Sequence, residues 1–148
     1  MTTELNAELT AVQQDVASAR QELLAALEPL TDGTLDRSRR GGWTAGRVML
    51  HLIQSEWHYV RLVRQLRELP PASPPELPDA VTSVADAVRE LTTAHQALLE
   101  AIDGIDEAAF YQLRMLGREE YSVLSVLENV AHHDREHGEQ VRSIVASA

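Results

Sequence analysis

Apolar residues recur in alternating steps of four and three over most of this chain, the spacing of an amphipathic helix. The first such stretch runs from about Thr3 to Leu30, and its apolar positions are Leu5, Leu9, Val12, Val16, Ala19, Leu23, Leu27 and Leu30. Similar stretches extend from a capping Thr44 to about Leu69, from Asp79 to Asp103, and from a capping Ser122 nearly to the C-terminus. Each apolar stripe needs a helical partner, so the sequence predicts an all-α, up-down-type four-helix bundle.

The connections between these helices are long. Pro70 to Pro78 holds five of the six prolines, so no helix or central strand can pass through it and it must be a crossing loop. The polar residues 31–43 precede the second helix, and Gly104 to Tyr121 is a mixed connection whose segment FYQLRML could form a short extended piece. The bundle therefore has long crossing loops.

Length and composition restrict the class of protein. With 148 residues and 44% hydrophobic content, residues 1–148 fit one domain. There is no signal-like start and no apolar run near the roughly 20 residues that cross a bilayer, so we expect a cytoplasmic protein without a membrane partner. Cysteine is absent, which excludes disulfides and a protein thiol nucleophile. A net charge of -10 argues against nucleic acid as a partner.

Three histidines fall within six positions of the last helix, in ENVAHHDREHGEQV. At about 100° per residue from Val130, His137 lies roughly 20° and His133 roughly 60° from the centre of the apolar stripe, whereas His132 lies roughly 200° away. His133 and His137 therefore face inward from successive turns, the arrangement with which two imidazoles grip one metal ion. His132 should be solvated.

A third ligand must come from another helix. His51 lies at the edge of the apolar arc of the second helix and is the leading candidate. His95, in the seam of the third helix, competes for the role but fits a hydrogen-bonded core residue better, and His58 should be exposed. The alternative for all of them is an ordinary polar interruption of the core. Metal binding is favoured because an unshared inward pair of imidazoles carries a desolvation cost and repels when protonated.

Two carboxylates, Glu56 and Asp134, also face inward by the same angles, and buried carboxylates need partners. They could orient the histidines or act as a general base, which makes them the candidate catalytic residues. They could equally pair with an arginine such as Arg47, Arg61 or Arg64. The sequence favours neither interpretation.

Two segments carry a family resemblance. They are GGWTAGRVMLHL, with Trp43 before the capping Thr44 and with His51, and HDREHGEQV, with His133 and His137. In this order and separation they resemble the DinB/YfiT-like superfamily, four-helix bundles that hold a metal ion with one histidine from the second helix and an HxxxH pair from the last. The resemblance covers essentially the whole chain.

The resemblance implies a three-histidine site for zinc or nickel with open coordination positions, and often a homodimer. It implies a divalent-metal-dependent enzyme acting on a small molecule, by transfer of a low-molecular-weight thiol cofactor or by metal-assisted hydrolysis. The alternative is a non-catalytic metal- or small-molecule-binding bundle, which a fourth protein ligand such as His95 or Asp134 would favour. A helical interaction protein without metal ranks last.

Overall fold

A computed structural model describes residues 3–147 of the chain, with side chains from residue 7 onward, so the side chain of Leu5 in the predicted seam lies outside the described residues. The elements are α1 (Thr3–Leu27), a 3-10 turn (Asp32–Thr34), α2 (Ala45–Leu66), α3 (Val84–Ile102), α4 (Glu107–Tyr111), β1 (Arg114–Leu116), β2 (Glu119–Tyr121) and α5 (Val123–Ala146). Helices α1, α2, α3 and α5 form the bundle, which confirms the predicted all-α class.

The directions of the helices follow from contacts at their ends. Where α1 has ended and α3 begins, the backbone N–H of Val84 donates to Oδ1 of Asp32 at 2.8 Å. At the C-terminal ends of α2 and α3, Arg67 donates to the carbonyl of Ala101 at 2.7 Å. Helices α2 and α3 are therefore parallel to each other and antiparallel to α1. Helix α5 runs parallel to α1, since Arg20 contacts Asp134 and Leu23 lies beside Gly138 further along both helices. The proline-rich connection must run back along the bundle, as its predicted role as a crossing loop requires.

Local chemistry sets where the helices begin. Both predicted caps are confirmed, because the Thr44 hydroxyl accepts from the N–H of Arg47 and the Ser122 hydroxyl accepts from the N–H of Ser125. Helix α3 starts five residues later than predicted. Ser83 is its N-cap, so residues 79–83 belong to the loop.

Two helices end earlier than predicted. Helix α1 stops at Leu27 instead of Leu30, because Pro29 lacks an N–H and disfavours helical backbone in the residue before it. Helix α2 stops at Leu66 instead of Leu69. There Glu68 takes a left-handed φ of 55°, and the N–H of Leu69 turns back to the carbonyl of Arg64 at 2.9 Å.

The last connection folds as a short helix and a hairpin. Of the segment FYQLRML, Phe110 and Tyr111 belong to α4, and only Arg114–Leu116 is extended. It pairs antiparallel with Glu119–Tyr121 across a turn in which Gly117 has a φ of 68°. The extended piece is thus confirmed for its second half.

One continuous apolar core joins the four long helices. Helix α1 packs mainly against α5, α2 against α3, and α2 also against α5. Among the described residues, no helix is both long and apolar enough to cross a membrane. Within the described part of the chain, the buried polar and charged residues are Arg20, Glu56, Ser122 and Asp134.

Candidate metal centre

The bundle brings His51 of α2 together with His133 and His137 of α5. One ring nitrogen from each of the three lies within 4.8 Å of the other two. Nε2 of His51 is 3.1 Å from Nε2 of His133, and the ring centroids of His133 and His137 are 4.3 Å apart. The structure thus places together the three residues predicted as metal ligands.

The three rings sit at the seam between α2 and α5 and are half-buried. The innermost positions of α5 are taken by residues such as Val130, Asp134 and Val141. His133 and His137 flank that line on the side of α2, one turn apart, which lets His51 reach both. A half-buried position leaves the nitrogen cluster open to small molecules from solvent.

The spacing fits a tetrahedral metal ion. Imidazole nitrogens bind zinc at about 2.0–2.1 Å, so neighbouring ligand nitrogens around a tetrahedral ion lie about 3.4 Å apart. The 3.1 Å separation is close to that value, and 4.8 Å is the outer bound for the other pairs. Small rotations of the rings would give three-coordinate binding. No fourth histidine, cysteine or carboxylate joins this group within the part of the chain that the structure describes.

The protonation of the rings suits metal binding. Burial and the neighbouring His137 and His51 lower the pKa of His133 to about 4. Burial and His137 also lower the pKa of His51. Both rings are therefore neutral at pH 7, which leaves a nitrogen lone pair available to a cation.

Gln140 fixes the orientation of one ligand. Its side-chain oxygen Oε1 lies 2.7 Å from Nδ1 of His137, and an amide oxygen can only accept, so Nδ1–H of His137 donates. With Nδ1 engaged in this way, Nε2 is the nitrogen of His137 that can face a metal. Such an outer hydrogen bond holds the ring in place and makes it a better ligand.

Aromatic side chains flank the cluster. The ring of Trp43 packs edge-on against His51 at 5.2 Å, and that of Tyr59 packs edge-on against His133 at 5.8 Å between centroids. Burial and the nearby carboxylates raise the pKa of Tyr59 to about 12, so its phenol stays protonated. A cleft of about 400 Å³ opens beside the histidines, lined by Gly42, Trp43, Glu136, His137 and Gln140.

The other three histidines stay away from the cluster, as predicted. The side chain of His132 is 76% exposed, and His58 is exposed too. His95 is a hydrogen-bonded core residue, whose Nδ1–H donates to Oε2 of Glu56 at 3.1 Å. It is therefore not available as a fourth ligand.

Glu56 and Asp134 belong to a buried charge layer, formed by Arg20, Glu56, His95 and Asp134, with one residue from each long helix. Arg20 donates to Oδ2 of Asp134 at 2.8 Å and to Oε1 of Glu56 at 2.5 Å. Both carboxylates thus pair with an arginine, which is the second of the two interpretations that the sequence allowed. The arginine named for it needs correction, because the partner is Arg20 and not Arg47, Arg61 or Arg64. A catalytic role for either carboxylate stays a prediction.

Burial and charge compete within the charge layer. Burial would lower the pKa of Arg20, but Glu56 and Asp134 raise it overall. Burial would raise the pKa of Glu56, but His95 and Arg20 lower it overall. For Asp134 burial prevails over the attraction of Arg20, and its pKa is raised. Arg20 keeps one buried nitrogen, Nη1, without a hydrogen-bond partner among the described residues.

Sequence reasoning missed three of these residues. Arg20 directly follows Ala19 of the first seam, so a charge inside an apolar arc was the available signal. Gln140 lies three residues after His137 on the same helix, a spacing that permits contact. No sequence signal distinguished Tyr59 from the other residues of α2, because only the packing of α2 against α5 brings it to His133.

Fold and site together define a helical bundle with a three-histidine candidate metal centre between two of its helices. The family model of the DinB superfamily matches residues 16–141, and the chain belongs to this superfamily. No curated protein matches the chain in sequence.

Two solved structures share the fold. A four-helix bundle protein, TT2238, is 23% identical with a TM-score of 0.69, over 90% of this chain and 98% of the other. A DinB-like protein from Bacillus cereus is 18% identical with a TM-score of 0.66, over 97% of this chain and 91% of the other. At these identities the likeness concerns the fold alone.

Proposed function

We propose that this chain is a divalent-metal-dependent enzyme that acts on a small molecule and binds one zinc or nickel ion through His51, His133 and His137. The observation that carries the proposal is the approach of three histidine nitrogens to within 4.8 Å of one another. Three neutral nitrogen ligands suit either metal, and affinity order alone does not choose between them.

The surroundings of the histidines support catalysis over a purely structural ion. A structural zinc site is closed by four protein ligands, whereas a catalytic site keeps a position for water or substrate. The two residues considered as a fourth ligand are engaged in the charge layer, His95 with Glu56 and Asp134 with Arg20. The non-catalytic binding bundle is therefore the second candidate.

A bound ion would supply Lewis acidity, either to a low-molecular-weight thiol used for transfer or to water used for hydrolysis. The chain contributes the holding and orienting groups. His51, His133 and His137 present ring nitrogens to the ion, and Gln140 engages Nδ1 of His137 so that Nε2 is the nitrogen that can bind. Trp43 lines the cleft in which a small molecule would bind. With no cysteine of its own, the chain would need a cofactor for thiol chemistry.

Metal content measured by plasma mass spectrometry on tag-free protein tests this proposal. We expect about one ion per chain in the wild type and its loss in His133→Ala and His137→Ala. His132→Ala is the matched control, because it removes an exposed imidazole from the same helix and should keep the ion.

Loaded protein would then be assayed with thiol cofactors and electrophiles, and with hydrolysable substrates. Folded wild-type protein that neither contains nor takes up a divalent metal would refute the proposal. A loaded protein that turns over none of these would favour the binding bundle. The homodimer suggested by the resemblance stays a prediction, for which sedimentation velocity is the measurement.

A further inference from the structure

The segment that leads into α2 is strongly basic in an acidic chain. Residues 36–47 read DRSRRGGWTAGR and hold four of the 13 basic residues against a single acid, while the whole chain carries a net charge of -10. The four are Arg37, Arg39, Arg40 and Arg47. Their side chains are exposed. We call residues 36–47 the basic segment.

None of these four arginines forms an ion pair within the described residues. The arginines that do pair with carboxylates are Arg20, Arg89, Arg114, Arg135 and Arg142. The chain has 23 acidic residues, far more than the four arginines of the basic segment would need as partners. Its guanidinium groups are left available to an external anion.

The backbone holds the basic segment at the rim of the metal centre. Ser38 pairs with Thr44 as an antiparallel bridge, and the N–H of Gly42 donates to the carbonyl of Arg39 at 2.8 Å, which closes a turn. Gly42 and Trp43, directly after this turn, line the cleft beside His137. The turn with Arg39 and Arg40 therefore borders the mouth of that cleft.

Arg47 is the best-fixed of the four. Its guanidinium carbon lies 4.6 Å from the centroid of the Trp43 ring, a cation–π contact, and Trp43 in turn packs against His51. The Trp43 ring thus lies between the guanidinium of Arg47 and the candidate metal ligand His51. Glu136 is the acid in the cleft lining, and its carboxylate lies 3.6 Å from Nε2 of the exposed His132. Its charge also acts on His51, so the four arginines of the basic segment must outweigh one carboxylate at the cleft.

We propose that the basic segment, with Arg47 foremost, binds a carboxylate or phosphate group of an anionic small molecule whose reacting part lies at His51, His133 and His137. Guanidinium groups match both anions with paired hydrogen bonds. A local positive charge on an acidic protein also concentrates anions at this cleft. The inference rests on the proposed function and names its substrate class.

Thiol binding to the cobalt(II)-loaded protein tests this inference. Mercaptosuccinate carries two carboxylates and thioglycerol carries none, while both ligate cobalt through sulfur and give a near-ultraviolet charge-transfer band. Because a carboxylate of mercaptosuccinate can also chelate the ion, the change of the affinity ratio between variants is what tests the arginines. One charge-assisted hydrogen-bonded contact corresponds to an affinity ratio of about tenfold or more in favour of mercaptosuccinate. We expect Arg47→Gln to reduce that ratio several-fold and to leave thioglycerol affinity unchanged.

Arg118→Gln is the matched control, because it removes one exposed arginine from the hairpin turn, outside the basic segment, and should keep the wild-type ratio. The double variant Arg39→Gln/Arg40→Gln tests the rim of the cleft in the same way. Competition by succinate and by inorganic phosphate tells which anion is preferred.

Two failures are distinguishable. Wild-type protein that binds cobalt but takes up both thiols equally would overturn this inference and leave the metal site standing. An equal loss of preference in Arg47→Gln and Arg118→Gln would overturn it too, because only the net charge would then matter. Protein that binds no cobalt at all would overturn the proposed function and the inference together.

Discussion

Replacing Arg20 by methionine should destabilise the bundle strongly. The substitution keeps most of the aliphatic stem but removes the charge that compensates Glu56 and Asp134, each only 2% exposed. Breaking a buried ion pair from one side costs about 3–5 kcal/mol, because an uncompensated charge stays in the core. For a chain of this size that loss lowers the melting temperature by roughly 10 °C.

The chain offers a matched control in Arg135. It also contacts two carboxylates and also joins α1 to α5, with 2.8 Å to Oδ1 of Asp15 and 2.8 Å to Oε2 of Glu22. Its side chain is 38% exposed, so solvent screens the pair. Arg135→Met should therefore cost about 1 kcal/mol or less.

Urea unfolding followed by circular dichroism at pH 7 measures both variants. The pKa of Asp134 is already raised in the wild type, and the loss of Arg20 would raise it further. A carboxyl with a raised folded pKa destabilises the folded state above that pKa and ceases to do so as pH falls through it. The stability gap between wild type and Arg20→Met should thus narrow from pH 7 toward pH 5. Equal costs for the two arginine variants, or a gap independent of pH, would refute the assignment of a buried charge layer.

Three further outcomes are expected. Gln140→Ala should weaken metal affinity by about 10–100-fold in a chelator competition, because His137 loses the acceptor that orients its ring. An unchanged affinity would show that this hydrogen bond does not contribute to metal binding. In metal-free protein the pKa of His133 is about 4 when folded and about 6.5 when unfolded, so the free energy of unfolding should fall as pH drops from 6.5 to 4, by about 1–2 kcal/mol after solvent screening. Urea titrations at pH 7.5 and 4.5 with EDTA measure this, and His133→Asn should lose less stability over the same range because it lacks this one titrating group. Gly138→Ala should stabilise the protein by up to about 1 kcal/mol in the same assay, because alanine favours helix more than glycine does. The added Cβ would meet the backbone of Leu23 at an ordinary 3.7 Å. A large loss of stability would show that α1 packs too tightly against α5 to admit a methyl group.

The charge layer shows that an inward position alone does not distinguish a metal ligand from an ion-pair partner. Glu56 and Asp134 satisfy the same angular test as His133 and His137, but their contacts go to Arg20 and His95. An inward polar residue on one helix reports that a partner exists. It does not report which helix supplies the partner, because that depends on how the helices are arranged around the core.

The sequence by itself determined the local features of this protein. Helical periodicity specifies four helices, Thr44 and Ser122 cap two of them, and the prolines from Pro70 onward specify the crossing loop, because these effects act within a few residues. The spacing of His133 and His137 likewise places both on one face of one helix.

Only the tertiary structure decided which side chains meet across helices. The approach of His51 to the HxxxH pair and the partnership of Arg20 with two carboxylates join residues of different helices. Periodicity gives the direction of a side chain around its own helix axis, but neither the neighbouring helix nor its height along the bundle. Those are fixed by the packing of the whole core, in which α2 runs parallel to α3 and lies against α5.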